Sequence, residues 1–389
     1  MIKKNNLRGI PIVVLVTFII FFFAAAKLAD HKMNVSVLKD MPTVSQKVKD
    51  IHSRLTIADW HSDNLLWDRN LLKRINHGHV DLPRLIEGNY TLQVFDAVVK
   101  SPKGQNYQSN TGDTDNITLL AIGNRWPIRT WGNLTERCIY QSEALHKAAD
   151  NSNGQLSIVK SKTDLESFLN SRAQQTAQVA GLLSIEGLHA LEKDIENIDY
   201  LYDHGYRMMG LTHFFDNEVG GSSAGIKQGG LTDLGRQVIK RMNDKSIIID
   251  LAHASRATID EVLAMTTRPV VVSHTGVVGT CDSPRNLSDA HIKGIAVTGG
   301  MIGIGFWDGA VCGMSVDHII SAMKYVIDLV GIDHVCLGSD FDGSVTTLFD
   351  ASQIILLTEG LVKAEFSEAQ INQIMGANQI NFLLSNLPE

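Results

Sequence analysis

The sequence predicts an α/β fold, a (β/α)8 TIM barrel, from three observations. Short apolar runs rich in β-branched residues alternate with longer amphipathic stretches, as in β/α units around a parallel sheet. Eight such runs occur, which is the number of strands that this barrel requires. Six of the eight runs end in a side chain that can bind a metal or transfer a proton. In a parallel barrel the carboxyl ends of the strands meet at one rim, where catalytic groups collect.

The predicted elements follow one another along the barrel region. The eight strands are expected at residues 56–61, 91–99, 179–186, 207–213, 246–253, 269–274, 300–306 and 335–340. Between them, apolar periodicity predicts helices that include 231–243, 257–264 and 316–330. The region 100–162 is longer than one helix requires, so we expect an insertion there besides a helix within 116–149.

The composition is that of an ordinary globular protein. The chain has 389 residues, a formal net charge of -7, 44% hydrophobic residues and 20% charged residues, which excludes a wholly disordered chain. The sequence has no long run of Lys and Arg to match a phosphate backbone, so no nucleic-acid partner is expected. The length fits one large barrel domain with additional segments.

The amino-terminal segment 10–26 is strongly apolar. It carries no charged residue and follows the basic residues Lys3, Lys4 and Arg8. This pattern fits a secretory signal peptide, with Ala24, Ala25 and Ala26 as small residues for cleavage, and fits a retained membrane anchor equally well. Whether residues 1–26 are a signal peptide or an anchor, we expect the rest of the chain to be exported to the periplasm or another extracytoplasmic location. Residues 27–47 are then expected to be a linker, and 48–389 the barrel domain.

The cysteines are few and widely spaced. Cys138, Cys281, Cys312 and Cys336 form no C-x-x-C pair, so neither a thiolate zinc site nor a dense disulfide framework is indicated. Export to an oxidising compartment would allow one or two disulfide bonds to form.

The strand-end side chains predict a metal centre. They are His61 with Asp63, Glu186, His213, His253, His274 and Asp340. The H-x-D pattern is weak alone, since an aspartate there can also cap a helix. Jointly, His61, Asp63, Glu186, His253 and His274 offer imidazole and carboxylate ligands suited to zinc. They exceed the needs of one catalytic ion and suffice for two ions that share a carboxylate.

An ordered set of motifs resembles the membrane dipeptidase (renal dipeptidase) family of zinc peptidases, within the amidohydrolase-like barrels. The resemblance extends from about residue 50 to the carboxyl terminus. Its motifs are Asp59-Trp60-His61-Ser62-Asp63, His79-Val80-Asp81-Leu82-Pro83-Arg84-Leu85, Ser184-Ile185-Glu186-Gly187, Leu211-Thr212-His213, Asp250-Leu251-Ala252-His253, Ser273-His274, Pro284-Arg285-Asn286 and Gly338-Ser339-Asp340-Phe341-Asp342-Gly343. The resemblance implies a metal-dependent hydrolase barrel.

The resemblance also implies roles for individual metal ligands. His61 and Asp63 would bind one zinc ion, and His253 and His274 the other. Glu186 would bridge the two divalent ions, for which zinc is expected. Water activated by these ions would then be the nucleophile that attacks the peptide bond of a dipeptide, including dipeptides with a D-residue at the carboxyl-terminal position.

Substrate contacts are implied in the same way. His213 and Arg285 would contact the scissile group and the terminal carboxylate, with Asn286 beside them, and Asp340 would be the acid/base residue. Trp60 replaces a residue that the family usually has as glycine, and it is expected to narrow the pocket.

Rival functions remain open at this point. One is another binuclear amidohydrolase that acts on N-acyl amino acids or lactams, because function depends on the pocket rather than on the fold. Another is a tethered metal or peptide binder without catalysis. The sequence also leaves open whether the chain forms a homodimer.

Overall fold

The structure is a computed structural model that describes residues 24–175 and 177–389. The predicted signal or anchor segment lies outside the described residues except for its last three, which are helical together with the residues that follow (α1, described over residues 24–33). In the described part of the chain, no helix has the length and apolar character needed to cross a membrane.

The predicted barrel is confirmed. The strands are β1 Val35–Ser36, β2 Ile57–Asp59, β3 Tyr90–Val98, β4 Leu156–Ile158, β5 Val179–Glu186, β6 Tyr206–Gly210, β7 Ile248–Asp250, β8 Val271–Thr275, β9 Met301–Ile304, β10 Val335–Leu337 and β11 Thr346–Thr347. Eight parallel strands follow the order β3-β2-β10-β9-β8-β7-β6-β5, and pairing between β3 and β5 closes the ring. The short strand β4 pairs with the first residues of β5, and β1 forms a separate parallel pair with β11.

The helices surround this ring. Most begin at a Ser, Thr, Asp or Asn whose side chain accepts a hydrogen bond from a backbone N–H of the first turn, as Ser255 does before α9. After α1 they are α2 Gln46–Arg54, α3 Leu82–Glu87, α4 Asn116–Gly123, α5 Leu134–Asp150, α6 Lys162–Arg172, α7 Asn197–Asp203, α8 Asp233–Asp244, α9 Arg256–Met265, α10 Asp289–Val297, α11 Asp308–Val311, α12 Val316–Val330, α13 Ile355–Lys363, α14 Glu368–Met375 and α15 Ala377–Asn386. Helices α4 and α5 account for the predicted insertion.

The apolar side chains of the barrel face two ways. One set packs between the strands and the surrounding helices. The other fills the barrel interior near the amino ends of the strands and receives one or more residues from every barrel strand, including Ala58, Ile248 and Met301. Helix α15 covers this end with Phe382 and Leu383, so hydrophobic burial closes the floor of the barrel.

Trp60 belongs to this floor. Its side chain is fully buried and makes an edge-to-face contact with Phe382, at 5.6 Å between ring centroids. The expectation that Trp60 narrows the substrate pocket is therefore wrong, because its side chain packs below the rim with the apolar interior.

The segment 27–47, expected to be a linker, is docked on the barrel. Asp30 in α1 accepts a hydrogen bond of 2.9 Å from Nε of Arg69, which lies in the loop after β2. Strand β1 pairs with β11, and Val44 is buried against the outer core. These contacts bring α1 over the carboxyl ends of the strands.

Candidate active site

Glu186 is the centre of a cluster of histidines at the carboxyl rim. Its Oε1 lies 3.1 Å from Nε2 of His253, 3.5 Å from Nε2 of His274 and 3.7 Å from Nε2 of His61. Its Oε2 lies 3.2 Å from Nε2 of His213. One carboxylate therefore faces imidazoles that come from four different strand ends.

Asp63 and Asp340 complete the cluster on the side of His61. Nε2 of His61 lies 3.2 Å from Oδ1 of Asp63 and 3.9 Å from Oδ1 of Asp340. Three overlapping sets have donor atoms within 4.8 Å of one another, namely His61 with Glu186 and His274, Glu186 with His213 and His253, and His61 with Asp63 and Asp340. The structure thus brings every predicted strand-end residue together.

Local backbone geometry aims several of these side chains. Glu186 is the last residue of β5, and the following Gly187 has φ of 93°, where an added Cβ would lie 2.4 Å from the ring of His189. His253 and Asp340 adopt φ of 63° and 60°, which is unusual for residues other than glycine. Such strain is concentrated at functional sites, where the surrounding structure holds the chain in place.

A further carboxylate, Asp96, lies behind His61. Its Oδ2 is 3.1 Å from Nδ1 of His61, so it fixes which imidazole nitrogen faces the cluster. The sequence reasoning missed Asp96. A signal was present, because Asp96 is a charged residue inside β3, whose nine residues are all buried, and a charge in such a place requires a partner.

Asp250 and Ser273 form a corresponding support for His274. Oγ of Ser273 donates to Oδ2 of Asp250 at 2.6 Å and lies 2.9 Å from Nδ1 of His274. Nε2 of His274 is thereby directed at Nε2 of His253, 3.0 Å away. Both halves of the cluster have a supported imidazole.

The electrostatics of the cluster call for a cation. Burial raises the pKa of Glu186 and of Asp340 well above their ordinary values, and neighbouring carboxylates add to this effect. Burial lowers the pKa of His253 and of His274 well below normal, so both imidazoles are held neutral. A divalent metal ion binds ionised carboxylates and neutral imidazoles, so its charge would offset the cost of keeping Glu186 and Asp340 ionised.

Unsatisfied polar atoms support the same conclusion. Among residues 24–175 and 177–389, Nε2 of His61 and Oδ1 of Asp63 are two of the buried atoms without a hydrogen-bond partner, and both face the cluster. Buried polar atoms are rarely left unpaired, and a bound ion that they contact is one of the few explanations. The donor set therefore fits a divalent metal centre.

Arg285 lies beside this centre, in the loop after β8. It is 5% exposed, and one Nη donates to the backbone carbonyl of His274 at 2.8 Å. Its Nε has no hydrogen-bond partner within the described part of the chain. Burial lowers the pKa of Arg285, and a buried guanidinium with a free donor suits an anionic group of a ligand.

Asn286 has a different position from the one expected. Its Nδ2 donates to the carbonyls of Cys281 and Ala310, both at 2.8 Å, and its Oδ1 accepts from N–H of Gly276 at 3.1 Å. These bonds use the amide within the loop, so Asn286 holds the loop that carries Arg285 rather than lining the cavity. The Cys281–Cys312 disulfide ties the same loop to the end of α11.

A cavity of about 670 Å³ opens above the cluster. Its polar wall contains Asp63, Glu186, His213, His253, Arg285 and Asp340. The sequence reasoning missed two aromatic residues of this wall, Tyr107 and Trp307, whose hydroxyl and indole N–H lie 2.8 Å apart. Neither follows a pattern that sequence spacing reveals, because they come from the insertion after β3 and the loop after β9.

A family model described as membrane dipeptidase (peptidase family M19) matches residues 45–384. The chain belongs to the membrane dipeptidase family. The resemblance found in the sequence motifs is thereby confirmed, and with it the assignment as a metallo-dipeptidase.

Relatives named as dipeptidases support this assignment. The chain is 27% identical over 318 residues to dipeptidase verJ of Clonostachys rogersoniana, covering 80% of this chain and 76% of the relative. It is 26% identical over 406 aligned positions to dipeptidase aclJ of Aspergillus oryzae, covering 98% and 89%.

Solved structures share the fold of this dipeptidase. A metallo peptidase from Rhodobacter sphaeroides, liganded with a phosphinate mimic of the dipeptide L-Ala-D-Ala, aligns with a TM-score of 0.70 at 21% identity, covering 86% of this chain and 99% of that one. The probable dipeptidase PvdM from Pseudomonas aeruginosa aligns with a TM-score of 0.72 at 20% identity, covering 88% and 98%.

Proposed function

We propose that this chain hydrolyses the peptide bond of dipeptides at the Glu186 cluster, with two zinc ions as cofactors. The observation that carries the proposal is the single buried carboxylate of Glu186, whose Oε1 lies 3.1–3.7 Å from Nε2 of His61, His253 and His274. When bound, such ions lower the pKa of water toward neutrality and polarise a carbonyl oxygen.

The chain's own ligands divide into two groups in this proposal. His61 and Asp63 would hold one ion, His253 and His274 would hold the other, and Glu186 would be available to both. Nε2 of His61 lies 3.2 Å from Oδ1 of Asp63, and Nε2 of His253 lies 3.0 Å from Nε2 of His274. These distances, and the unpaired buried Nε2 of His61 and Oδ1 of Asp63, support this division. Asp96 holds His61 in the tautomer that presents Nε2 to the ion.

Asp340 is proposed to be the acid/base residue. Burial raises its pKa well above the ordinary value for aspartate, which brings proton exchange closer to neutral pH. Its Oδ1 lies 3.9 Å from Nε2 of His61, beside the proposed ligands. Asp340 then accepts the proton of the attacking water and returns it to the leaving amine.

His213 and Arg285 are proposed to hold the substrate. Burial lowers the pKa of His213 to about 3, so its imidazole is neutral. Its Nε2 lies 3.2 Å from Oε2 of Glu186 and lines the cavity, which places it beside the expected position of the scissile group. The unpaired Nε of Arg285 is available for the terminal carboxylate. This selects short peptides with a free carboxyl terminus.

Dipeptides with a D-residue at the carboxyl-terminal position are included in the proposal. Its support is the Rhodobacter sphaeroides metallo peptidase of the same fold, which was solved with a mimic of L-Ala-D-Ala. The alternative is an amidohydrolase of N-acyl amino acids or lactams at the same centre.

We also propose that the barrel domain, residues 48–389, acts outside the cytoplasm, delivered by the signal or anchor in residues 1–26. The Cys281–Cys312 disulfide supports this location, because such bonds persist in oxidising compartments. Whether the chain forms a homodimer is tested by measuring the molar mass of the purified protein in solution.

The deciding experiment is a substrate panel with metal analysis. We expect the full chain to carry two zinc ions and to hydrolyse L-Ala-L-Ala and L-Ala-D-Ala, with loss of activity on chelation and recovery on adding zinc. Faster cleavage of N-acetyl-alanine than of either dipeptide would support the alternative, and no cleavage of any amide would refute an enzymatic function.

Asp340→Asn serves as the active-site variant in this panel. Asparagine tolerates the positive φ at this position, so the backbone is retained while the proton acceptor is lost. We expect turnover to fall roughly 10²- to 10⁴-fold with metal content unchanged. The exposed Asp244→Asn at the end of α8 is the matched control, and normal turnover in Asp340→Asn would exclude the acid/base role.

A further inference from the structure

Helix α1 forms one wall of the active-site cavity. Ala25, Ala29 and Met33 of this helix line the same cavity as Glu186 and Arg285. Their spacing places them on a single face of the helix. The segment predicted as a leader and linker therefore contributes directly to the space in which substrate is expected to bind.

The helix is held firmly in this position. Asp30 accepts hydrogen bonds from Arg69 and from the side-chain amide of Asn34, at 2.9 Å each. One Nη of Arg69 lies 2.8 Å from Oδ1 of Asp342. The side-chain Oδ1 of Asn34 accepts a hydrogen bond from the backbone N–H of Ser344 at 3.0 Å. These bonds connect α1 to the loops after β2 and β10, which carry the proposed catalytic groups.

The wall that α1 completes is apolar. It continues through Leu66 after β2, Val98 at the end of β3 and Leu120 in α4. Met33 is 45% exposed and Leu119, which also lines the cavity, is 60% exposed. Exposed apolar side chains that converge on a cavity mark a surface that binds an apolar group.

This apolar wall lies across the barrel from Arg285. In the closed ring, β8, which precedes Arg285, is separated from β3 by β2, β10 and β9 in one direction and by β5, β6 and β7 in the other. The metal cluster occupies the rim between them. A polar anchor and an apolar wall thus face each other on opposite sides of the reactive centre.

We propose that the apolar wall built by α1, Leu66, Val98 and Leu120 binds the side chain of the amino-terminal residue of the substrate, and that the enzyme selects dipeptides with a large apolar residue at that position. The inference rests on the proposed function, which places the terminal carboxylate on Arg285 and the scissile bond at the cluster. An extended chain advances roughly 3.3–3.6 Å per residue, so the amino-terminal residue then extends toward the opposite wall. The cavity volume of about 670 Å³ leaves room for a side chain much larger than methyl.

The test compares dipeptides that differ only in the position of the apolar residue. With the full metal-loaded chain, we expect kcat/KM for Leu-Ala to exceed that for Ala-Ala by about tenfold or more, the range expected for several methylene groups in an apolar pocket. Ala-Leu should gain less, because its large residue lies on the side of Arg285.

A matched pair of variants assigns the preference to α1. Met33→Gln introduces a polar amide into the wall and should reduce the ratio of Leu-Ala to Ala-Ala about fivefold or more. Leu28→Gln is the control, because Leu28 is 50% exposed on the same helix and does not line the cavity. Both positions are exposed, so folding should be preserved, and melting temperature and metal content check this.

The outcomes separate the two proposals. Equal rates for Leu-Ala and Ala-Ala, or equal effects of the two variants, would overturn the assignment of the apolar wall while leaving a dipeptidase. Failure of the unmodified chain to cleave any dipeptide would instead overturn the proposed function, and this inference with it.

Discussion

The two ends of the barrel are built by the same eight strands but contain opposite kinds of side chain. The floor is apolar, with Trp60 and Phe382 in contact and the interior filled by residues from every strand. The rim contains carboxylates and imidazoles around Glu186. Burial lowers the free energy of the floor side chains, whereas it raises the free energy of unpaired charges at the rim.

The loop after β10 shows how the rim is held in place. Asp340, Asp342 and Ser344 all have positive φ in the loop after β10. Asp342 accepts bonds from the N–H groups of His79 and Val80 at 2.8 and 3.0 Å, which holds this loop. Bonds from neighbouring backbone thus hold this loop in the unusual conformation that aims Asp340 at the cluster.

The largest effect on the rim is expected from the substitution Glu186→Gln. Glutamine keeps the size but removes the charge shared by both proposed ions, so we expect metal content to fall and kcat/KM to drop roughly 10³- to 10⁴-fold. Burial, reinforced by the Asp63 carboxylate, raises the pKa of Glu186 in the absence of metal. The metal-free variant should therefore be at least as stable as the metal-free parent.

Metal analysis, dipeptide hydrolysis and urea unfolding of the stripped proteins measure these three quantities. Glu166→Gln, on the exposed face of α6, is the matched control and should behave like the parent. Retention of full metal content by Glu186→Gln would contradict the shared-ligand role.

Phe382→Ala tests the floor. Phe382 is 6% exposed and stacks edge-to-face on Trp60, so its truncation should lower the free energy of unfolding by about 3–5 kcal/mol. Metal content and kcat/KM at low temperature should remain unchanged, because the rim is supported by other contacts. Asn381→Ala, at the neighbouring exposed position, controls for effects on α15. A loss of metal affinity in Phe382→Ala would mean that the two ends are coupled.

The sequence could predict the rim because its residues follow buried strands. His253 and His274 each end an apolar run, and strand ends of a parallel barrel must converge, so their proximity follows from topology alone. Convergence of strand ends does not predict the positions of Tyr107 and Trp307, which line the cavity from long loops. Loop conformation depends on tertiary contacts that spacing does not encode.

Side-chain direction is the second property that could not be predicted from the sequence. Trp60 adjoins His61 in sequence, but its large ring packs into the floor against Phe382 while His61 faces the cluster. Both residues follow the end of β2, where side-chain direction depends on local backbone geometry that residue spacing does not encode. Residues 27–47 lack sustained apolar periodicity, yet α1 docks through the buried Asp30 and its bond to Arg69. A polar anchor of this kind leaves no hydrophobic pattern in the sequence.

The mildest test concerns the support behind the rim. Asp96→Asn keeps the shape of the side chain that lies 3.1 Å from Nδ1 of His61 and removes its charge. Although burial alone favours neutral histidine, the Asp96 and Asp63 carboxylates raise the pKa of His61, which shows how strongly they act on this imidazole. We expect affinity for the ion at His61 to fall about 10- to 100-fold, measured by competition with a chelator.

Because Asp250 and Ser273 support His274 independently, the ion at His253 and His274 should be released at the same chelator concentration as in the parent protein. The exposed Asp113→Asn should leave both ions unaffected, and equal weakening of both ions by Asp96→Asn would show that the two halves of the rim do not act separately.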